Sequence, residues 1–177
     1  MQMLPNMPWR YGNRADPEVR VLADRHYSRQ SPGSMQFVPP GRCLVLKVAQ
    51  AYWVTSWPYP EFVKHAWPGA WICSAFRREA ECPYLASDLV RSAVAATCAH
   101  WGQPPALGMI TFVDTTKVRH KRDWGRCFRK AGFKPLIECT KGGLFVLQML
   151  PEWMPKPQYA HPMAPLAQQL LEMGYAR

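Results

Sequence analysis

Two parts of the chain carry the side chains best suited to chemistry. The first is His26-Tyr27-Ser28-Arg29, which places an imidazole, a phenol, a hydroxyl and a guanidinium in consecutive positions. A histidine can act near neutral pH as a general base or as a metal ligand. Alternatively, His26 and Tyr27 pack a helix against a sheet while Arg29 faces solvent. Because a site needs several converging groups, a catalytic role for this element requires a partner elsewhere in the chain.

The second part begins at Asp114, which follows an apolar run that predicts a strand over residues 107–113. Ligands of open α/β sheets usually lie at the carboxyl ends of the strands. A carboxylate there can orient an amine, accept its proton or ligate a metal, with His26 as a second ligand. Alternatively, Asp114 caps the turn formed by the next three residues, as aspartate commonly does.

Basic residues crowd the segment that follows Asp114. Cations on such a segment contact phosphates whatever the base sequence, and a tryptophan among them can stack on a base. The chain carries a formal net charge of +10, which also favours a polyanionic partner. The alternative is a solvated basic loop. The predicted nucleic-acid-binding residues are Arg29, Lys117, Arg119, His120, Lys121, Arg122, Trp124, Arg126, Arg129 and Lys130.

An anion site is predicted where a central strand over residues 71–76 leads into a helix over residues 87–101. Arg77 and Arg78 directly follow the strand, and Ser87 is expected to cap the helix. Arginines beside the free amides of a helix start can hold a phosphate. The segment from Arg77 to Ser87 contains no glycine, although glycine allows the closest approach of a phosphate to backbone amides.

The order of elements predicts a single α/β domain over residues 16–150, preceded by an arm over 1–15. Eighteen prolines mark the loops, and residues 151–177 are expected to form a proline-rich linker and a C-terminal helix. The elements expected inside the domain are a helix from 16 to about 28–30, strands at 43–48, 51–57, 71–76 and 107–113, helices at 87–101 and 123–131, and a hairpin of 136–139 with 144–150.

The composition indicates the compartment of the protein and the metals that it is suited to bind. The six cysteines form no CxxC pair, the chain start has no secretory signal, and no window approaches about 18 uninterrupted apolar residues. These features predict reduced thiols, no membrane partner and a cytoplasmic location. Zinc is disfavoured because the cysteines and histidines lack ligand spacing, whereas iron or another metal held by His26 and Asp114 stays open.

The motifs resemble those of phage Mom-type DNA-modification proteins, a branch of the GNAT (Gcn5-related N-acetyltransferase) superfamily. The matching elements are His26-Tyr27-Ser28, Phe112-Val113-Asp114, His120, Gly125-Arg126-Cys127-Phe128 and Ala131-Gly132-Phe133. The chain departs from the family pattern at Phe128, where the family has tyrosine. It also lacks the glycine-rich pyrophosphate loop that acetyltransferases of this fold carry after the central strand.

The resemblance implies a GNAT-like, mostly antiparallel sheet and a phage or prophage transferase with an anti-restriction role. The expected reaction adds an acyl- or aminoacyl-derived, carbamoylmethyl-like group to an exocyclic amine of DNA, with adenine N6 as the acceptor. The implied donor is acetyl-CoA or an aminoacyl-tRNA, with iron as a further cofactor, and the base is flipped out of a duplex. The implied catalytic residues are His26, Tyr27, Ser28, Asp114 and Phe128, and the implied donor-binding residues are Arg77, Arg78 and Ser87.

Two alternatives stay open. One is an acetyl-CoA-dependent N-acetyltransferase that acts on another amine. The other is a non-catalytic nucleic-acid-binding module on the same scaffold, which the glycine-free segment after the central strand favours.

Overall fold

The computed structural model describes residues 6–117, 123–163 and 165. Within them the chain builds one seven-stranded sheet in the order β1-β2-β3-β4-β5-β7-β6, and only the β4–β5 pair is parallel. The predicted mixed α/β class is therefore confirmed, with a mostly antiparallel sheet. The strands are β1 (Arg10–Tyr11), β2 (Arg42–Val48), β3 (Ala51–Trp57), β4 (Trp71–Arg78), β5 (Met109–Val113), β6 (Lys134–Pro135) and β7 (Phe145–Met149).

Helices cover both faces of the sheet. The helix α1 (Pro17–Asp24) buries its apolar side with β2 and β3 on one face. The helices α2 (Ala86–Trp101) and α3 (Arg126–Ala131) share the larger core on the other face. Two short 3-10 helices occupy Pro60–Phe62 and Pro151–Trp153. No helix in the described ranges combines the length and the apolar character needed to cross a bilayer.

The helix α1 is shorter than the sequence predicts. It begins as expected, because the Asp16 carboxylate accepts hydrogen bonds from the amides of Glu18 and Val19. It ends at Asp24. The amide of His26 then donates to the carbonyl of Ala23, three residues back, instead of to the carbonyl four residues back as in an α-helix. His26, Tyr27 and Ser28 therefore lie in a turn after the helix and not on its face.

The strands β4 and β5 separate after a short parallel contact. Only Trp71–Cys73 of β4 pair with Met109–Thr111 of β5, while β4 continues along β3 to Arg78. Ser74 is an extra residue in β4, because Cys73 lies opposite Thr55 and Ala75 lies opposite Val54. Such a bulge bends the strand that carries it and increases its twist. A gap consequently opens between the carboxyl halves of β4 and β5.

The two terminal segments pack closely onto the domain. The expected arm contributes β1 and the fully buried Trp9, whose indole N–H donates to the carbonyl of Leu89 at 2.9 Å. The stretch expected as a linker continues beside it, since the His161 amide donates to the Trp9 carbonyl and the Tyr11 amide donates to the His161 carbonyl. Apolar side chains such as Trp9 and Ala160 explain this packing. The expected C-terminal helix at 166–173 lies outside the described residues.

Candidate active-site cleft

The gap between β4 and β5 forms a cleft of about 1320 Å³. The turn after α1 lines it on one face of the sheet, and the starts of α2 and α3 line it on the other. The cleft therefore joins the two faces through the sheet. It brings together the residues predicted as catalytic or donor-binding, namely His26, Tyr27, Ser28, Asp114, Phe128, Arg77, Arg78 and Ser87.

His26 is held as a neutral ring. Its Nδ1 accepts a hydrogen bond from the Ser28 amide at 3.2 Å and lies 2.7 Å from the Ser28 hydroxyl. The other ring nitrogen then carries the proton. Burial, helped by the positive charge of Arg77, lowers the His26 pKa to about 4, although the Phe76 backbone acts in the opposite direction. A ring with this pKa is a weak base, so His26 is suited to positioning its neighbours.

Tyr27 spans the gap. Its ring stacks on His26 with centroids 4.6 Å apart and planes inclined by 26°. The backbone of Asp114 at the end of β5 lowers the pKa of the Tyr27 phenol and so opposes the effect of burial. Burial raises the Tyr27 pKa, so the phenol stays protonated at neutral pH. The side chain remains 39% exposed and presents part of its surface to the cleft.

Asp114 performs the turn-capping role that its alternative interpretation predicted. Its Oδ1 accepts hydrogen bonds from the amide and the hydroxyl of Thr116, at 3.0 and 2.6 Å. These bonds hold the pKa of the carboxyl below its ordinary value, so it is an anion and a weak base at neutral pH. Asp114 also lines the cleft.

The two arginines that end β4 form hydrogen bonds within the protein at this end of the cleft. Arg77 donates to the Glu79 carboxylate at 2.8 Å and to the Arg25 carbonyl at 2.6 Å. Arg78 donates to the carbonyls of Tyr84 and Cys82, at 2.6 and 2.8 Å. The guanidinium of Arg78 thus fixes the glycine-free loop between β4 and α2. Both arginines are therefore bonded within the protein, and both also line the cleft.

The start of α2 faces the cleft without a side-chain cap. The helix begins one residue earlier than predicted, so Leu85 is the N-cap and Ser87 lies within the first turn. Ser87 therefore does not cap the helix, and within the described residues no side-chain cap accepts a hydrogen bond from this helix start. Amides at a helix start attract anions. This end of α2 lines the cleft at Leu85–Ser87.

The backbone of Phe76 also points into the cleft. The Glu79 amide donates to the Gln50 carbonyl at 2.8 Å, and hydrogen-bonded pairs alternate along antiparallel strands. Phe76 and Trp53, which lie opposite each other, therefore form a pair without mutual backbone bonds. The N–H and C=O of Phe76 therefore point away from β3. Which backbone groups of β4 point into the cleft depends on the register of this strand with β3.

Arg29, which was predicted to contact nucleic acid, is bonded within the protein. Its side chain is only 9% exposed and pairs with Asp24 at 2.8 Å. It also donates to the carbonyls of Gln36 and Ser34, at 2.9 and 2.7 Å. These bonds commit the guanidinium to bracing the loop after the His26 turn.

The remaining basic residues divide into three groups. Lys117, Arg126 and Lys130 line the cleft, and Trp124 nearby is 43% exposed. Arg129 forms an ion pair with Asp123, to which Arg126 also approaches at 4.0 Å. The four others, Arg119, His120, Lys121 and Arg122, lie outside the described residues.

The floor of the cleft contains groups that sequence analysis missed as site residues. Cys73 is buried there, and burial raises its thiol pKa, while a hydrogen bond to the Thr111 side chain opposes that shift. Cys127 lines the cleft as well. Phe128 packs edge-on against Phe76 and Phe133, so it forms a wall of the cleft. No sequence pattern marks Cys73 as a cleft residue, because its position there depends on the bulge at Ser74 in β4.

The residues present do not fit the iron site suggested for His26 and Asp114. Nδ1 of His26 is occupied by Ser28, so its other nitrogen carries the proton. Oδ1 of Asp114 is occupied by Thr116. The described ranges hold no cluster of three or more metal-ligating side chains.

No protein family, curated protein or solved structure matches this chain.

Proposed function

We propose that this protein is a DNA base-modifying transferase with a GNAT-like fold. It moves an acyl- or aminoacyl-type group from a bound donor to an exocyclic amine, with adenine N6 as the expected acceptor. The observation that carries the proposal is the cleft between β4 and β5, which joins a neutral aromatic side at His26–Tyr27 to a basic side at α3. Such a passage lets an acceptor and a donor approach one another from opposite faces of the sheet.

The topology supports the GNAT-like part of the proposal. Its single parallel pair separates at a bulge in β4, and α2 connects the two separating strands. The last hairpin then places β7 beside β5. These are the features expected for a fold whose splayed central strands frame donor and acceptor clefts.

The acceptor fits the Tyr27 side of the cleft. A base flipped out of a duplex is commonly held by stacking on an aromatic ring, and Tyr27 offers a ring already fixed by His26. Asp114 ends β5 and lines the cleft, and its carboxylate can accept a hydrogen bond from an exocyclic amine. Because the Asp114 pKa is lowered, this carboxylate orients the amine before attack and takes a proton only from the more acidic ammonium formed afterwards.

The donor fits the α2 side. The uncapped amides at the start of α2 suit its anionic part, and the Phe76 N–H suits the carbonyl oxygen that becomes negative during transfer. Removing one such donor from an oxyanion site typically slows catalysis by roughly 10²–10³-fold. In this proposal the Phe76 backbone N–H polarises the carbonyl of the donor. A side-chain substitution does not remove this group directly.

The cations beside the cleft fit the DNA backbone. Lys117, Arg126 and Lys130 line the opening and carry positive charge to where phosphates next to a flipped base would lie. Trp124 is sufficiently exposed to stack on a neighbouring base.

Mass spectrometry of nucleosides tests the proposal. DNA would be taken from cells that express the intact chain, Asp114→Asn or the control Glu61→Gln, which changes an exposed carboxylate on the 3-10 helix away from the cleft. Asp114→Asn keeps an acceptor for the Thr116 bonds and removes the charge. We expect a new nucleoside with the intact chain and the control, and a large loss with Asp114→Asn. Unmodified DNA from cells containing soluble, folded protein would refute the proposal.

A non-catalytic nucleic-acid-binding module is the second candidate function. The observation in its favour is that Arg78 fills and fixes the loop where a diphosphate-bearing donor would need open amides. This candidate predicts DNA binding that depends on Lys130 and no new nucleoside in any of the three strains.

A further inference from the structure

We propose that the carboxamide of Gln30 selects adenine as the acceptor by bonding the edge of the base that carries the exocyclic amine. The proposal rests on the proposed function and adds to it the residue that decides which base is modified. Its basis is that Gln30 lines the cleft and belongs to the same turn as Tyr27, the ring on which the acceptor base is expected to stack.

The backbone that carries Gln30 is fixed by the residue before it. The guanidinium of Arg29 donates to the Asp24 carboxylate at the end of α1, at 2.8 Å. It also donates to the carbonyls of Gln36 and Ser34, at 2.9 and 2.7 Å. These bonds tie the loop after the turn to the helix. The loop therefore presents Gln30 to the cleft from a braced backbone, which lowers the entropic cost of holding a ligand.

The Gln30 carboxamide is available to a ligand. Its side chain is exposed, and it has no hydrogen-bond partner among the described residues. The other polar side chains of the turn are engaged within the protein, because His26 and Ser28 contact each other and Arg29 braces the loop. Gln30 is therefore the side chain of this turn whose donor and acceptor groups are both uncommitted.

A carboxamide matches adenine better than it matches the other three bases. It places an acceptor oxygen beside an N–H donor. Adenine presents the complementary pair on its major-groove edge, with the N6 amine as the donor and N7 as the acceptor, and glutamine can bond both at once. On that edge guanine presents two acceptors, thymine presents an acceptor and a methyl group, and cytosine presents its amine without a neighbouring acceptor. A glutamine that reads this edge therefore selects adenine.

This contact is compatible with the role proposed for Asp114. The N6 amine has two hydrogens, so the oxygen of Gln30 can accept one while the Asp114 carboxylate accepts the other. Both residues line the cleft. Transfer removes only one hydrogen from N6, and the hydrogen bonded to Gln30 stays on the nitrogen in the product.

The test compares the intact chain, Gln30→Ala, Gln30→Glu and Gln36→Ala on two DNA substrates. One is ordinary DNA, and the other is amplified with 7-deazaadenine in place of adenine, which keeps the N6 amine and replaces N7 by a C–H group. An extract of the expression host supplies the donor, and mass spectrometry gives the rate of nucleoside modification. Gln36→Ala is the matched control, because Gln36 is an exposed glutamine of the same loop and does not line the cleft.

The substrate preference is the informative quantity. We expect the intact chain and Gln36→Ala to modify ordinary DNA roughly 5–150-fold faster than the deaza substrate, since a bidentate base contact discriminates by this factor. Gln30→Ala should be slower by a similar factor on ordinary DNA and should treat the two substrates alike. Gln30→Glu should favour the deaza substrate, because its carboxylate repels the lone pair of N7.

The outcomes separate this inference from the function on which it rests. A Gln30→Ala variant that keeps the preference of the intact chain, or an intact chain without any preference, overturns the role of Gln30 and leaves the transferase proposal standing. A new nucleoside derived from a base other than adenine has the same consequence. If the intact chain forms no new nucleoside in ordinary DNA, the transferase proposal fails and the role of Gln30 fails with it. An unchanged melting temperature of Gln30→Ala shows that its slower rate does not come from unfolding.

Discussion

Replacing Arg78 by alanine should loosen the loop between β4 and α2. The guanidinium donates two hydrogen bonds to backbone carbonyls, at 2.6 Å to Tyr84 and at 2.8 Å to Cys82. A hydrogen bond to a charged group contributes roughly 1.5–3 kcal/mol in the favourable case. Because Arg78 is only half-buried, water would replace part of this interaction in the variant. We therefore expect the pair of bonds together to contribute about 2 kcal/mol to the free energy of unfolding.

Urea unfolding measures this loss directly, and thermal unfolding provides a second reading. For a chain of this size, a loss of about 2 kcal/mol corresponds to a fall in Tm of roughly 4–8 °C. Arg78→Lys should be intermediate, since an ammonium lacks the fork that reaches both carbonyls. Arg25→Ala is the control, because its longer 3.4 Å contact with Glu79 involves an exposed side chain. An Arg78→Ala variant as stable as the intact chain would refute the idea that this arginine holds the loop.

Two further predictions concern His26 and Lys130. The folded-state pKa of His26 is about 4 against an ordinary value of 6.5, so the unfolded chain binds the extra proton and stability should fall as the pH drops from about 6.5 towards 4. Allowing for partial exposure of the ring, we expect the free energy of unfolding in urea to fall by roughly 1–2 kcal/mol over this pH range. The His26→Gln variant should not show this fall. A difference in stability between the two proteins that does not change with pH would contradict the assigned pKa. Lys130→Ala should reduce the slope of log affinity for DNA against log salt concentration by about 1, because Lys130 lines the cleft. The control Lys156→Ala, which changes an exposed lysine, should leave the slope unchanged. Equal slopes for the two variants would show that Lys130 does not contact DNA.

The sequence predicted the elements of this fold well where local signals were strong. Asp16 capped α1 as expected, and Gly102 and Gly132 ended α2 and α3 with positive φ angles. The strand β3 has the predicted bounds 51–57, and the hairpin before it turns at Gln50 with a positive φ of 64°. These features depend on residues close in sequence, which is why a single chain was enough to find them.

The cleft was harder to predict, because it arises from the loss of pairing between two strands distant in sequence. The run over residues 71–76 was expected to be buried on both faces. Instead, only Trp71–Cys73 are buried, and β4 is half-buried beyond the bulge because it borders the cleft. The inward direction of the Phe76 backbone depends on the register with β3, which no local pattern specifies.

The roles of charged side chains were the least predictable. Arg29, Arg77 and Arg78 were expected to meet ligands, yet each donates to carbonyls of nearby loops. A guanidinium has five N–H donors, and loops without regular structure offer carbonyls that need partners. Whether an arginine faces a ligand or a loop is decided by the folded path of the loop, which composition does not reveal.

The most direct test of the central claim is the mass of the nucleosides in DNA exposed to the intact protein. We predict one new nucleoside, heavier than its parent by the transferred group and abolished by Asp114→Asn, and the added mass would identify the group. DNA with only unmodified nucleosides, in the presence of folded protein that binds it, would contradict the transferase assignment and favour a binding module.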